Sequence, residues 1–152
     1  MKQFIAHRGN TEGKQPAFEN TIEYLNHAYD LCGGLECDIR THNGKLYFGH
    51  DEPQELVDTN IILQYNWFCH AKDLESLGTL LQMNANCFWH QTDTVTLTSK
   101  GYIWCYPDIY VIDPRAVWVD FEDKFANLNT IGGYGLCSDR LPVPASESPC
   151  KS

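Results

Sequence analysis

The stretch LECDIRTHNGKLYFGHD (residues 35–51) decides how the chain is read. Residues 35–41 and 45–51 are two strand-like runs, and His42-Asn43-Gly44 between them is a turn signal. In the first run Glu36, Asp38 and Arg40 alternate with Cys37 and Ile39. Successive side chains on a strand point to opposite faces, so the three charged groups share one face and the apolar ones the other. A barrel strand has this division when the mouth of the barrel is a reactive site.

Upstream, QFIAHRG (residues 3–9) is an apolar run ending in polar residues and Gly9, which predicts a buried first strand delivering His7 and Arg8 at its C-terminal end. ENTIEYLNHAYDLCGG (residues 19–34) has Ile22, Leu25, Ala28, Tyr29 and Leu31 near helical spacing, a start at Asn20 or Thr21 and a stop at Gly33-Gly34. Downstream, NWFCHAK (66–72) predicts a strand, DLESLGTLLQMN (73–84) a short helix and NCFWHQ (86–91) a further strand. GYIWCYP (101–107), YVID (110–113) or AVWVDF (116–121), and GYGLCSD (133–139) supply more strands, with little helix between them.

Strands alternating with helices predict an α/β fold with parallel strands. The expectation is a reduced (β/α) TIM-type barrel with several helices shortened or missing, because 152 residues fall short of the roughly 200 that such barrels ordinarily need. Either loops replace helices, or the barrel is incomplete and shields its open edge by another route, such as self-association into a homo-oligomer. Residues 1–141 form one domain in this reading, and the Pro- and Ser-rich segment 142–152 a flexible tail.

The formal net charge of -9 argues against a surface that gathers nucleic acid or anionic lipid. An acidic chain binds phosphate esters where a divalent ion reverses the local field. The seven cysteines include no C-x-x-C pair, and Cys37, Cys69, Cys87 and Cys105 lie in apolar runs. They read as buried free thiols in a reducing compartment, with the cytoplasm the default location. The first residues carry only a three-residue apolar run before charge begins, so neither a signal peptide nor a transmembrane segment is expected.

Four short motifs follow in order: His7-Arg8-Gly9, Glu19-Asn20-Thr21, Glu36-x-Asp38 and His50-Asp51. On these the chain resembles the glycerophosphodiester phosphodiesterase family over residues 4–51. Its next strand usually has Glu-x-Lys, where this chain has His70-Ala71-Lys72; its Trp-Thr strand resembles Ile103-Trp104-Cys105, and its last motif Ser138-Asp139-Arg140-Leu141. The resemblance implies a TIM-type barrel, a small phosphodiester substrate and Mg²⁺ or Ca²⁺.

The chemistry also follows from residue types. Breaking a phosphodiester needs one group to take a proton from the attacking hydroxyl and another to give one to the leaving alkoxide, and His7 and His50 suit both tasks near neutral pH. Glu36 and Asp38, two apart on a strand, can share a hard cation that also meets a phosphoryl oxygen. His70, standing where the family has an acid, is a third candidate ligand and would favour Mn²⁺ or Zn²⁺; otherwise two carboxylates and water hold the ion. Arg8 and Lys72 would neutralise phosphate charge in the transition state. Glu19 orients Arg8 or the metal shell, or simply starts a helix. Asp51 fixes the ring of His50 or caps a turn. Glu19, His90 and Trp104 are the substrate-binding candidates, with Trp89 expected in the core.

The function expected is therefore a metal-dependent phosphodiester hydrolase, or a cyclising lyase, acting on glycerophosphodiester-like substrates. A phospholipase D-like enzyme on a lysophospholipid head group would show an apolar membrane-facing loop or a secretion signal. A non-catalytic barrel holding a phosphorylated ligand is favoured by the His70 departure and the small size.

Overall fold

In the computed structural model, residues 2–125 and 127–142 are described. Apart from Pro142, the segment expected to be a flexible tail lies outside them. The elements run β1 (Gln3–His7), α1 (Ile22–Cys32), β2 (Leu35–His42), β3 (Lys45–Phe48), β4 (Glu55–Leu56), α2 (Thr59–Gln64), β5 (Phe68–Ala71), α3 (Leu74–Gln82) and β6 (Cys87–Phe88). Then come β7 (Val95–Leu97), β8 (Ile103–Cys105), β9 (Ala116–Asp120), a 3-10 turn (Leu128–Thr130) and β10 (Gly135–Ser138).

The expected (β/α) TIM-type barrel is not what forms. The strands make one open, ten-stranded mixed sheet, strongly curled. Its parallel run is β6-β5-β2-β1-β10-β9-β8, while β3 and β4 fold back antiparallel along the end of β2, and β7 pairs antiparallel with β8. Among the described residues the α-helices number only 11, 6 and 9 residues and all precede β6.

The physical reason lies in the second half. Residues 106–115 contain Pro107 and Pro114, which cannot sit inside a helix. Loop side chains cover the outer face of the sheet there instead: Ile109, Val111, Phe125 and Leu128 pack on Cys105, Ala116, Trp118, Ile131 and Leu136. In the first half α1 and α3 do that work, with Leu25, Ala28 and Leu80 packed on Cys37, Ile39 and Cys69. YVID is loop; the strand is β9, which takes all of AVWVDF but Phe121.

The concave face is layered by the two-residue period of the strands. Ile5, Phe68, Phe88, Trp104, Val117, Val119 and Cys137 form an apolar plug. Two residues beyond Ile5 stands His7, and two beyond Phe68 stands His70. The register puts His7 beside Glu36 and Asp38 beside His70. A polar layer therefore sits on the plug, at the C-terminal ends of the central strands. No helix among the described residues is long and apolar enough to cross a membrane.

Candidate active site

A cavity of about 270 Å³ opens above the plug, and its walls include His7, Arg8, Glu36, His50, His70 and Lys72. Three strands and one loop bring them there from sequence positions more than sixty residues apart.

Arg8 follows β1 with φ 54, a left-handed conformation unusual for a residue with a side chain. Its amide donates to the Glu36 carbonyl at 3.0 Å, which holds the turn. Its guanidinium lies 2.8 Å from Asp38 Oδ2 and 3.3 Å from Glu19 Oε2. Asn20, also left-handed at φ 59, donates to Asp38 Oδ2 at 2.9 Å and accepts from the Asp38 amide at 2.9 Å.

His7 and His50 each bond a carboxylate through Nδ1. The Nδ1–H of His7 donates to Asp139 at 2.7 Å, which leaves Nε2 as the acceptor when the ring is neutral. Asn10, fully buried, donates to Asp139 at 2.8 Å and to Glu19 at 3.0 Å. His50 donates from Nδ1 to Asp51 at 2.8 Å. That anchor is looser, since the Asp51 side chain is 88% exposed. Arg40 fastens the loop from behind, donating to the Gly49 carbonyl at 3.3 Å and the His50 carbonyl at 2.6 Å.

Burial works against protonating His7, but the Asp139 hydrogen bond and the Glu36 charge outweigh it and raise its pKa. Burial alone would also raise Asp139, yet its bond to His7 holds it below the usual carboxylate range. Glu36 is pushed up to about 7, first by burial and then by the charge of Asp38. Asp38 is held low although buried, because Arg8, His70, Lys72 and Asn20 surround it. Burial drives His70 down to about 4, so its ring is neutral at pH 7.

One oxygen each of Glu36 and Asp38 and one ring nitrogen of His70 lie within 4.8 Å of one another. Asp38 Oδ1 is buried without a hydrogen-bond partner among the described residues. An orphaned carboxylate oxygen beside two other lone-pair donors fits a divalent ion.

Of the substrate-binding candidates, His90 is in the cavity wall with neither ring nitrogen hydrogen-bonded. Trp104 is 5% exposed and stacks on Phe88 at 4.6 Å, so it is the cavity floor and a core plug at once. Trp89, expected to be core, is half-buried. Glu19 does not reach this cavity; it braces Arg8 and Asn10 and borders the adjoining one.

Four contributors escaped the sequence reading. Asp139 lay inside the loosest of the matched motifs. Arg40 was on the charged face of β2 but had no assigned partner. Phe121, packed on the His7 ring at 4.6 Å and 45% exposed, followed an apolar strand and looked like part of it. Nothing in the sequence marks Asn10. Compared with known proteins, the chain matches no family model, no curated protein and no solved structure.

Proposed function

We propose that the chain is a metal-assisted phosphodiesterase of the glycerophosphodiester kind, acting on a small water-soluble phosphodiester. The observation that carries this reading is the pair of imidazoles, each tied by Nδ1 to a carboxylate, in the wall of one cavity with Arg8, Glu36, His70 and Lys72, and with Asp38 buried against Arg8, His70 and Lys72. The ordered motifs of residues 7–51 point the same way.

In this reading His7 Nε2 takes the proton from the attacking hydroxyl, which is a neighbouring hydroxyl of the substrate or water. His50 gives a proton to the leaving alkoxide. Asp139 holds the His7 ring in the tautomer that accepts at Nε2 and stabilises the imidazolium once formed. Arg8, its guanidinium fixed by Asp38 and Glu19, and Lys72 balance the charge on the phosphoryl oxygens. When bound, a divalent ion supplies Lewis-acid polarisation of one phosphoryl oxygen. Attack by the internal hydroxyl gives a cyclic phosphate, and the same two histidines can open it with water or leave it as product.

Tyr106, Trp104 and Phe121 also line the cavity and suit a carbon-rich alcohol arm. A volume of about 270 Å³ favours a small head group over a diacyl lipid. The buried unpaired thiols favour the cytoplasm, and the acidic surface a small-molecule partner rather than nucleic acid. One observation supports a non-catalytic binding role: Arg8 and Lys72 already lie 2.8 and 3.9 Å from Asp38, so part of the site's charge is balanced from within.

Incubation with glycerophosphodiesters and Mg²⁺, Ca²⁺, Mn²⁺ or Zn²⁺ decides between them. Alcohol release is expected, lowered about 10²–10⁴-fold in His7→Ala. No metal-dependent release above that variant would sink the enzyme reading for these substrates.

A further inference from the structure

The aim of the His70 ring determines what kind of ion the Glu36-Asp38-His70 cluster suits. His70 Nε2 lies 3.3 Å from the His90 carbonyl oxygen. A carbonyl only accepts, so Nε2 carries the ring hydrogen and Nδ1 is left with its lone pair. That lone pair faces Asp38 Oδ1 at 3.5 Å and Glu36 Oε1 at 3.8 Å. Both separations exceed the roughly 2.7–2.9 Å of a charge-assisted hydrogen bond, so the ring is not donating to either acid.

The ring is also held in this aim, stacked on Phe88 at 4.8 Å and 17°. Three acceptor atoms therefore converge in a largely buried place, and Asp38 Oδ1 has no hydrogen-bond donor among the described residues. Lys72 Nζ, 3.9 Å from that oxygen, balances charge but is too far to hydrogen-bond it. A cation at the point of convergence satisfies all three at once.

The donor set then discriminates among cations. Mg²⁺ and Ca²⁺ prefer shells made of oxygen alone, whereas imidazole suits zinc and its neighbours in the first transition row. A histidine that ligates a metal ordinarily gives its other ring N–H to a carbonyl or carboxylate, as His70 does to His90. The separations agree: donors about 2.1 Å from an ion stand about 3.4 Å apart at a tetrahedral corner and about 3.0 Å apart at an octahedral one. The observed 3.5 and 3.8 Å are too wide for octahedral magnesium; calcium, with bonds of about 2.3–2.6 Å, spans them too, so against calcium it is the nitrogen donor that discriminates.

We infer that this cluster selects a borderline transition metal, of the zinc or cobalt class, over magnesium and calcium, with His70 Nδ1 as the selecting ligand. The inference rests on reading the cluster as a cation site; it does not depend on the phosphodiesterase activity.

The test uses the full chain stripped of metal by a chelator and titrated separately with Zn²⁺, Co²⁺, Mg²⁺ and Ca²⁺. Calorimetry and thermal shift read affinity, and the visible spectrum of bound Co²⁺ reads coordination. The unaltered chain is expected to bind Zn²⁺ and Co²⁺ at least about tenfold more tightly than Mg²⁺ or Ca²⁺, with the intense visible bands of low-coordinate cobalt. His70→Gln should lose that preference, and His70→Glu should turn it toward Mg²⁺ and Ca²⁺. Equal or tighter binding of Mg²⁺ or Ca²⁺ to the unaltered chain would overturn the inference while leaving the cation site standing. Zinc affinity unchanged in the Glu36→Gln, Asp38→Asn double variant would overturn it by moving the metal elsewhere. A chain that binds none of the four ions would remove the cation site itself, and the inference with it.

Discussion

At the scale of single residues, the decisive contact joins the two ends of the described chain. His7 and Asp139, the one at the end of β1 and the other just past β10, meet at 2.7 Å because those strands pair in parallel. In Asp139→Asn the strongest influence raising the His7 pKa disappears while burial still lowers it. His7 should then titrate at lower pH than in the unaltered chain. In the proposed reaction His7 is the base and must be unprotonated to act, so the acidic limb of the rate profile should move to lower pH as well. The rate at its plateau should fall by about 10²-fold or more, because the ring loses its anchor. An NMR titration of the imidazole checks the first point independently of activity, and an unmoved His7 pKa would defeat it.

At the scale of elements, the parts that could be read from the sequence are those whose signal is local. β1, α1, β2, β3, β5 and α3 follow from two- and 3.6-residue periods and from Gly33, which closes α1 at φ 72. The shared face of Glu36 and Asp38 followed from alternation alone. What escaped has no local signal: α2, β4 and β7 are short, and the segments 106–115, 121–125 and 127–134 cover the sheet through scattered apolar residues that obey no period. The inference of a barrel failed because it extended the regular first half into a second half that lacks helices.

The loop bearing His50 shows how one element is fixed by a backbone requirement. Gly49 has φ 150, and a Cβ there would lie 1.9 Å from the Glu52 carbonyl oxygen. Gly44, in the turn of the same hairpin, has φ 72 with nothing within 4 Å. Gly44→Ala should therefore cost only the left-handed penalty, about 1–2 kcal/mol. Gly49→Ala must also shift the backbone, so its loss in urea unfolding should be larger, and it should displace His50 and lower the rate. Equal midpoints for the two variants would show that the loop carries no such constraint.

At the scale of the molecule, the curl of the sheet brings its distant strands together. Phe68 on β5 and Phe88 on β6 lie 5.4 and 4.6 Å from Trp104 on β8, although no ladder joins β6 to β8 among the described residues. Residues after β6 caulk the seam: Thr96 donates to the Trp89 carbonyl at 3.1 Å, and the Ser99 amide to the Cys87 carbonyl at 2.8 Å. Curling the sheet this way packs the apolar plug under the polar layer and leaves the carboxylates of β2 buried, away from water.

That exclusion of water sets the stability of the whole chain against pH when no metal is bound. Glu36 has its pKa raised from 4.5 to about 7, so between those values the folded state binds more protons than the unfolded one. Taken alone, Glu36 makes stability fall as pH rises through that window. His7, also raised, adds a loss above 6.5. His70, lowered from 6.5 to about 4, and His90, also lowered, act in the other direction, because the unfolded chain binds their protons first and stability rises with pH up to 6.5. Asp38 and Asp139, both lowered, contribute stability that is present above 3.8 and is lost on acidification below it. The chelated protein should therefore hold a plateau between about pH 4.5 and 6.5, where Glu36 and His70 offset each other, and lose stability from there to pH 8. Glu36→Gln removes one side of that balance, so its stability should climb from about pH 4 to 6.5. Urea unfolding across this range, in chelator, measures both; a stability that climbs steadily to pH 8 in the unaltered chain would show that Glu36 is ionised without cost in the fold.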